Sequence, residues 1–165
     1  MAITYEPLAT TTLSTATASV TFSSISSSYT DLVLVSMPLS ATSDNLTMQF
    51  NSDTGTNYST TILSGNGSAA SSARQSNTAT PYMSYYGLTN PTPSTCIFHI
   101  MNYANTTTYK TTIARASNAS GSGGTDATVM LWRDTSAITS IVIKQYGANN
   151  LSSGSTFSLY GIKSA

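Results

Sequence analysis

Over much of the chain apolar and polar residues alternate with a period of two, the pattern of a strand that buries one face. Leu46, Met48 and Phe50 alternate with Thr47 and Gln49, and Val20 and Phe22 alternate with Ser19 and Thr21. Near the end, Phe157, Leu159 and Gly161 oppose Ser158, Tyr160 and Ile162. Other runs are apolar at nearly every position: residues 32–37, 96–101, 129–132 and 138–143. Runs of this kind predict strands buried on both faces. Residues 58–63, 82–88 and 109–114 complete a set of about ten predicted strands. Strong helix formers are scarce, while Thr, Tyr, Val and Ile are abundant and suit a pleated surface. The pattern predicts an all-β fold, an antiparallel two-sheet β-sandwich of about 8–10 strands.

The segments between these strands carry turn chemistry. Asn51-Ser52-Asp53-Thr54-Gly55 joins two strands; its Asx side chains can bond the local backbone, and Gly55 is suited to a positive φ. Gly65-Asn66-Gly67 opens a stretch of small residues, 68–76, that reads as a loop. Residues 118–126, with Ser120-Gly121-Ser122-Gly123-Gly124, form the segment most flexible by composition. No repeat of fixed period and no long linker occurs. The expected organisation is an extended N-terminal arm over residues 1–12 followed by a single β-sandwich domain over residues 13–165.

Composition sharpens this picture. Of 165 residues only 7% are charged, six basic and six acidic, for a net charge of zero. A typical soluble domain is roughly 25% charged. Instead, 29 serines and 29 threonines, about a third of the chain, keep the surface wet. Six scattered cations cannot neutralise a run of phosphates, so nucleic-acid binding is not expected. The start, Met1-Ala2-Ile3-Thr4-Tyr5-Glu6-Pro7, lacks the cationic and apolar regions of a secretory signal. The longest aliphatic run, residues 32–35, is far short of a membrane span. No membrane partner and synthesis without export are therefore expected. Few charges also mean little desolvation penalty when a surface is buried against a partner, which suits a component of an assembly.

Catalytic chemistry has little to work with. The single Cys, Cys96, excludes an intrachain disulfide, and the single His, His99, lies three residues later. In a strand those two side chains point to opposite faces, which does not make a nucleophile–base pair. No cluster of His, Cys and carboxylates suggests zinc, and no Gly-x-Ser-x-Gly elbow is present. Asn51-x-Asp53-x-Gly55-x-Asn57 has the alternating oxygens of a calcium loop, but it lacks the closing bidentate Glu and misplaces the Gly. A hairpin turn is the expectation there. No enzyme activity, metal or cofactor is expected.

The aromatic residues offer binding candidates. Pro81-Tyr82-Met83-Ser84-Tyr85-Tyr86-Gly87 would place Tyr82 and Tyr86 on one strand face and Tyr85 with Met83 on the other. Tyrosine pairs an apolar ring with a polar tip, which suits interfaces and sugar-stacking platforms. In the arm, Ile3, Tyr5, Pro7 and Leu8 are candidate docking contacts.

Several long blocks resemble a family of small virion proteins of tailed bacteriophages that infect aquatic bacteria. These are Thr4-Tyr5-Glu6-Pro7-Leu8-Ala9-Thr10-Thr11-Thr12-Leu13 and Phe50-Asn51-Ser52-Asp53-Thr54-Gly55-Thr56-Asn57-Tyr58. Similar too are Met101-Asn102-Tyr103-Ala104-Asn105-Thr106-Thr107-Thr108-Tyr109-Lys110-Thr111 and Leu131-Trp132-Arg133-Asp134-Thr135-Ser136-Ala137-Ile138-Thr139-Ser140-Ile141. The ending Gly154-Ser155-Thr156-Phe157-Ser158-Leu159-Tyr160-Gly161-Ile162-Lys163 completes a resemblance that runs nearly end to end. It implies a jelly-roll-like sandwich in a virion structural protein, with no catalytic residue to carry across. Two functions follow as expectations. One is a capsid decoration, or cement, protein on the capsid surface, a homotrimer whose partners are itself and the major capsid protein. The other is a receptor- or carbohydrate-binding module of a tail fibre, with Tyr82, Tyr85 and Tyr86 stacking on a surface glycan.

Overall fold

The computed structural model describes residues 4–88, 92–118, 123–147 and 149–163. Among them are twelve strands and no helix. In chain order these are β1 (Tyr5–Thr12), β2 (Ser19–Phe22), β3 (Asp31–Met37), β4 (Asp44–Phe50), β5 (Tyr58–Gly65) and β6 (Ala70–Thr78). They continue as β7 (Tyr82–Leu88), β8 (Thr95–Met101), β9 (Lys110–Ser117), β10 (Thr125–Trp132), β11 (Ile141–Gln145) and β12 (Thr156–Ile162). Every pairing is antiparallel. One sheet has eight strands in the order β1-β12-β3-β8-β9-β10-β5-β6, and the other has four, β2-β11-β4-β7. The fold is an all-β, two-sheet sandwich. This strand order establishes the sandwich, not the jelly-roll connectivity that the resemblance implies.

The core lies between the sheets and follows the alternation in the sequence. Leu32, Leu34, Phe98, Ile100, Met130, Trp132, Phe157 and Leu159 face inward from the large sheet, against Val20, Phe22, Leu46, Met48, Phe50, Ile141 and Ile143. Trp132 is its largest member, with Phe50 edge-on at 5.5 Å and Tyr58 stacked at 6.3 Å. The Tyr58 hydroxyl accepts a hydrogen bond from the Phe50 amide at 2.9 Å, tying β5 of one sheet to β4 of the other.

Four local expectations change. Residues 5–12, expected as an arm, are extended but hydrogen-bonded along β12 as the edge strand of the large sheet. Pro7 is accommodated there because an edge strand need not donate on its outer side. Residues 68–76, expected as a loop, lie mostly in β6. Its hairpin is closed by Asn66, whose Oδ1 accepts from the amides of Ser68 and Ala69, with Gly67 at φ 86°. Strand β11 begins at Ile141, so the predicted strand over 138–143 is shifted; Ile138 is a core residue in the preceding loop. In the turn after β4, Asn51 and Ser52, at φ 51° and 57°, adopt the left-handed conformation expected of Gly55. Asn51 is held in it by donating to the Ala137 carbonyl at 2.8 Å while its Oδ1 accepts from the Thr139 amide at 2.8 Å.

The fifth difference concerns the runs apolar on both faces. In β3, β8 and β10 only one face is covered. Cross-strand register places Tyr160, Val33, His99, Ile113 and Val129 in one row on the outer face of the large sheet. The next row is Ser158, Val35, Ile97, Arg115, Ala127 and Leu63. Ile113 and Val129 are each 47% exposed and Leu63 is 60% exposed, while Val33, Val35 and Ile97 are half-buried by their neighbours alone. The sequence prepared two apolar faces, and among the described residues only one is covered.

Candidate binding surfaces

Two surfaces bring together the residues singled out from the sequence. The first is the outer face just described. Within it is a hollow of about 380 Å³ lined by Tyr5, Val33, Ile97, His99, Ile113, Ala114, Arg115 and Ala127. Tyr5 therefore reaches this face from β1, and Pro7 sits beside Tyr160 in the same sheet. Leu8 does not join them: the register slips between Pro7 and Ala9, and Leu8 packs against the core. Ile3 lies outside the described residues. His99 Nε2 and Asp31 Oδ2 are hydrogen-bonded at 3.1 Å on this side, and the other Asp31 oxygen accepts from the Asn102 amide at 2.6 Å.

The second surface is a cleft of about 590 Å³ beside β7, lined by Ser43, Asp44, Asn45, Tyr82, Tyr85, Tyr86, Leu88 and Asn118. All three predicted tyrosines are in it, which simple alternation does not allow. The reason is a break in the β4–β7 ladder: Thr47 pairs with Tyr82, Leu46 with Ser84 and Asp44 with Leu88. Extra residues on β7 turn Tyr85 away from the face of Met83, which is fully buried, and leave it 52% exposed. The consecutive amides of Tyr85 and Tyr86 both donate to Asp126 Oδ2, each at 2.6 Å. In a regular strand successive amides point in opposite directions, so the shared carboxylate defines the bulge.

Each ring in the cleft has a fixed support. Tyr86 lies against the backbone of Gly124, where an added Cβ would be 2.6 Å from the ring, and meets the edge of Tyr85 at 5.7 Å. Tyr82 packs edge-on against Tyr146 with ring centroids 4.5 Å apart. The hydrogen-bonded Tyr146 hydroxyl, together with burial, pushes the Tyr82 phenol up to about 12. The Asp44 carboxylate is gripped by two amides, Oδ1 by Asn45 at 2.7 Å and Oδ2 by Gly147 at 2.8 Å. In the amide orientation that satisfies its neighbours, Asn45 Nδ2 donates to the carbonyls of Ser84 at 3.1 Å and Tyr85 at 3.2 Å.

No protein-family model matches this chain, and no curated protein matches its sequence.

The remaining titratable groups are tied into the fold. Cys96 is buried on the inner face, opposite in direction to His99, and burial pushes its thiol up to about 12. A thiol held protonated in this way is a poor nucleophile at neutral pH. Lys110 is buried, its ammonium donating to the carbonyls of Thr108 at 2.8 Å and Thr135 at 3.0 Å, and burial lowers its pKa. Burial raises Asp53, but hydrogen bonds from Trp132, Asn57 and Gly55 together outweigh it and leave the carboxyl below its ordinary value. That carboxylate is the organiser of its turn. Among the described residues no group of three or more His, Cys, Asp or Glu could hold a metal, and no helix is long and apolar enough to cross a membrane.

Proposed function

We propose that this protein is a bacteriophage virion structural component, a capsid decoration protein that docks through the outer face of its eight-stranded sheet. The observation that carries the reading is the exposed, largely apolar face: Val33, Val35, Ile97, Ile113, Val129 and Leu63 across five strands, with His99 and Arg115 among them. Contiguous apolar patches of this sort mark protein–protein contact. The net charge of zero and 7% charged residues keep the desolvation penalty of burial small, with Arg115 the cation on the face that a partner would have to satisfy. The resemblance of the quoted sequence blocks to phage virion proteins motivates this context, with the major capsid protein and further copies of the chain, as a homotrimer, as proposed partners on the capsid surface. The role is mechanical and assigns no reaction, metal or cofactor to the chain.

The test is the copy number per purified particle, measured alongside a variant of the face. A lattice component is present in hundreds of copies, and attachment should change little with salt because few charges take part. Ile113→Lys with Val129→Glu places opposite charges on directly paired residues, which preserves the sheet while spoiling the apolar surface. This double variant should keep its melting temperature and lose capsid attachment. A handful of copies per particle, or undiminished attachment of the folded variant, overturns the proposal.

A further inference from the structure

We infer that the tyrosine cleft beside β7 is a binding site for a neutral sugar ring, with Tyr85 as the stacking surface. This goes beyond the decoration role and does not depend on it, since the cleft is lined by β4, β7, Ser43 and Asn118 and shares no residue with the hollow on the outer face of the large sheet.

The chemistry of the lining selects the ligand class. Tyr85 and Tyr86 supply apolar rings, and Ser43, Asp44, Asn45 and Asn118 supply polar groups around them. A pyranose presents the matching surfaces, a patch of C–H groups on one face and hydroxyls around its rim. Asp44 is the single charged residue lining the cleft among the described residues. Its two oxygens each accept one backbone amide and keep further lone pairs, so a fixed carboxylate can accept from two adjacent hydroxyls. That carboxylate, with no cation in the lining among the described residues, disfavours phosphate or carboxylate ligands.

A quaternary ammonium ion is the competing ligand for tyrosines beside a carboxylate. It requires several open ring faces around one point. Here Tyr86 lies on Gly124, Tyr82 is packed against Tyr146, and Tyr85 meets Tyr86 nearly at right angles, 78° between planes. The polar rim would also go unused by such an ion. The arrangement favours a sugar.

The site is held from beneath. Asp126, buried on the inner face of β10, fixes the Tyr85–Tyr86 backbone by accepting both amides. Gly124 leaves room for the Tyr86 ring, and Asn45 fastens β4 to the bulge. A pre-organised platform loses less freedom on binding.

The experiment titrates the full chain with glucose, galactose, mannose and their neutral disaccharides, and separately with choline, following backbone amide shifts by NMR. At least one neutral sugar should saturate, with the largest shifts at Tyr85 and Tyr86. Tyr85→Ala, at an exposed position that leaves the core intact, should weaken that binding about tenfold, and Tyr85→Phe should stay within about threefold. Four results overturn the inference: no neutral sugar saturates, the shifts fall away from β7, Tyr85→Ala binds as well as the parent, or choline alone binds. The amide shifts of the unaltered chain are decisive even if a variant misfolds. Capsid copy number tests the decoration proposal independently.

Discussion

The indole Nε1 of Trp132 donates to Asp53 Oδ2 at 2.7 Å, linking the largest core side chain to the turn that joins the two sheets. The same carboxylate accepts from the Gly55 amide at 2.7 Å and from Asn57 Nδ2 at 2.9 Å. Hydrogen bonds to a charged group are worth about 1.5–3 kcal/mol each in favourable cases. Asp53→Ala should therefore lower the unfolding free energy by at least about 2 kcal/mol, measured by urea denaturation. The folded-state pKa lies below the ordinary carboxylate value. The stabilisation is thus complete above that ordinary value and lost as pH falls through the lower one. Asp53→Asn should flatten this acid-side loss.

Asp126 should show the opposite sign. It is buried, its Oδ1 has no partner, and burial raises its pKa despite the amides of Tyr86 and Tyr85. Between the ordinary value and the raised one, the folded state holds a proton that the unfolded chain has released. Stability therefore falls as pH rises through that window. Asp126→Asn retains an oxygen for both amides and removes the titration. The difference in urea midpoint between variant and parent should grow in the variant's favour from pH 3 upward and then level off. A constant difference would contradict this reading.

Gly161 lies under the ring of Tyr29, where a methyl group would come within 2.4 Å of two ring atoms. Tyr29 in turn donates to Glu6 Oε1 at 3.0 Å, and Glu6 Oε2 pairs with Lys163 at 2.7 Å. Gly161→Ala must displace the ring from this clamp between β1 and β12. Overpacking of this kind costs about 1–3 kcal/mol, so Tm should drop by roughly 3–10 °C. Calorimetry of the purified variant provides the check.

Removing residues 1–10 tests something other than a free arm. It deletes most of β1, exposes the edge of β12 and removes Glu6 from Lys163. The truncated chain should melt at a lower temperature before any question of attachment arises. An unchanged Tm would show that β1 contributes nothing to the fold.

Strands β4 and β12 were legible because their apolar positions repeat at the period of a pleated strand, and β3 and β8 because each is a short, nearly continuous apolar run. β6 was not, since Ala70–Thr78 is built from small and polar residues, mostly exposed, and becomes a strand by pairing with β5. β1 was hidden for a related reason: its alternation is weak, and Pro7 counts against a central strand. The sequence also singled out Tyr82, Tyr85 and Tyr86, but strict alternation put them on two faces. The bulge that unites them depends on Asp126, some 40 residues away, and no local pattern reports such a contact.

The sequence by itself determined an all-β sandwich, a surface made polar by hydroxyls rather than charges, and strands with apolar residues on both sides. Those properties are local, being set by side-chain chemistry and a period of two. Which apolar face would stay uncovered was a tertiary decision. Four strands cannot cover the eight-stranded sheet on both sides, so Val33, Ile97, Ile113 and Val129 remain on the outside. The tyrosine cleft was decided the same way, by a carboxylate on one sheet capturing two amides of a strand in the other.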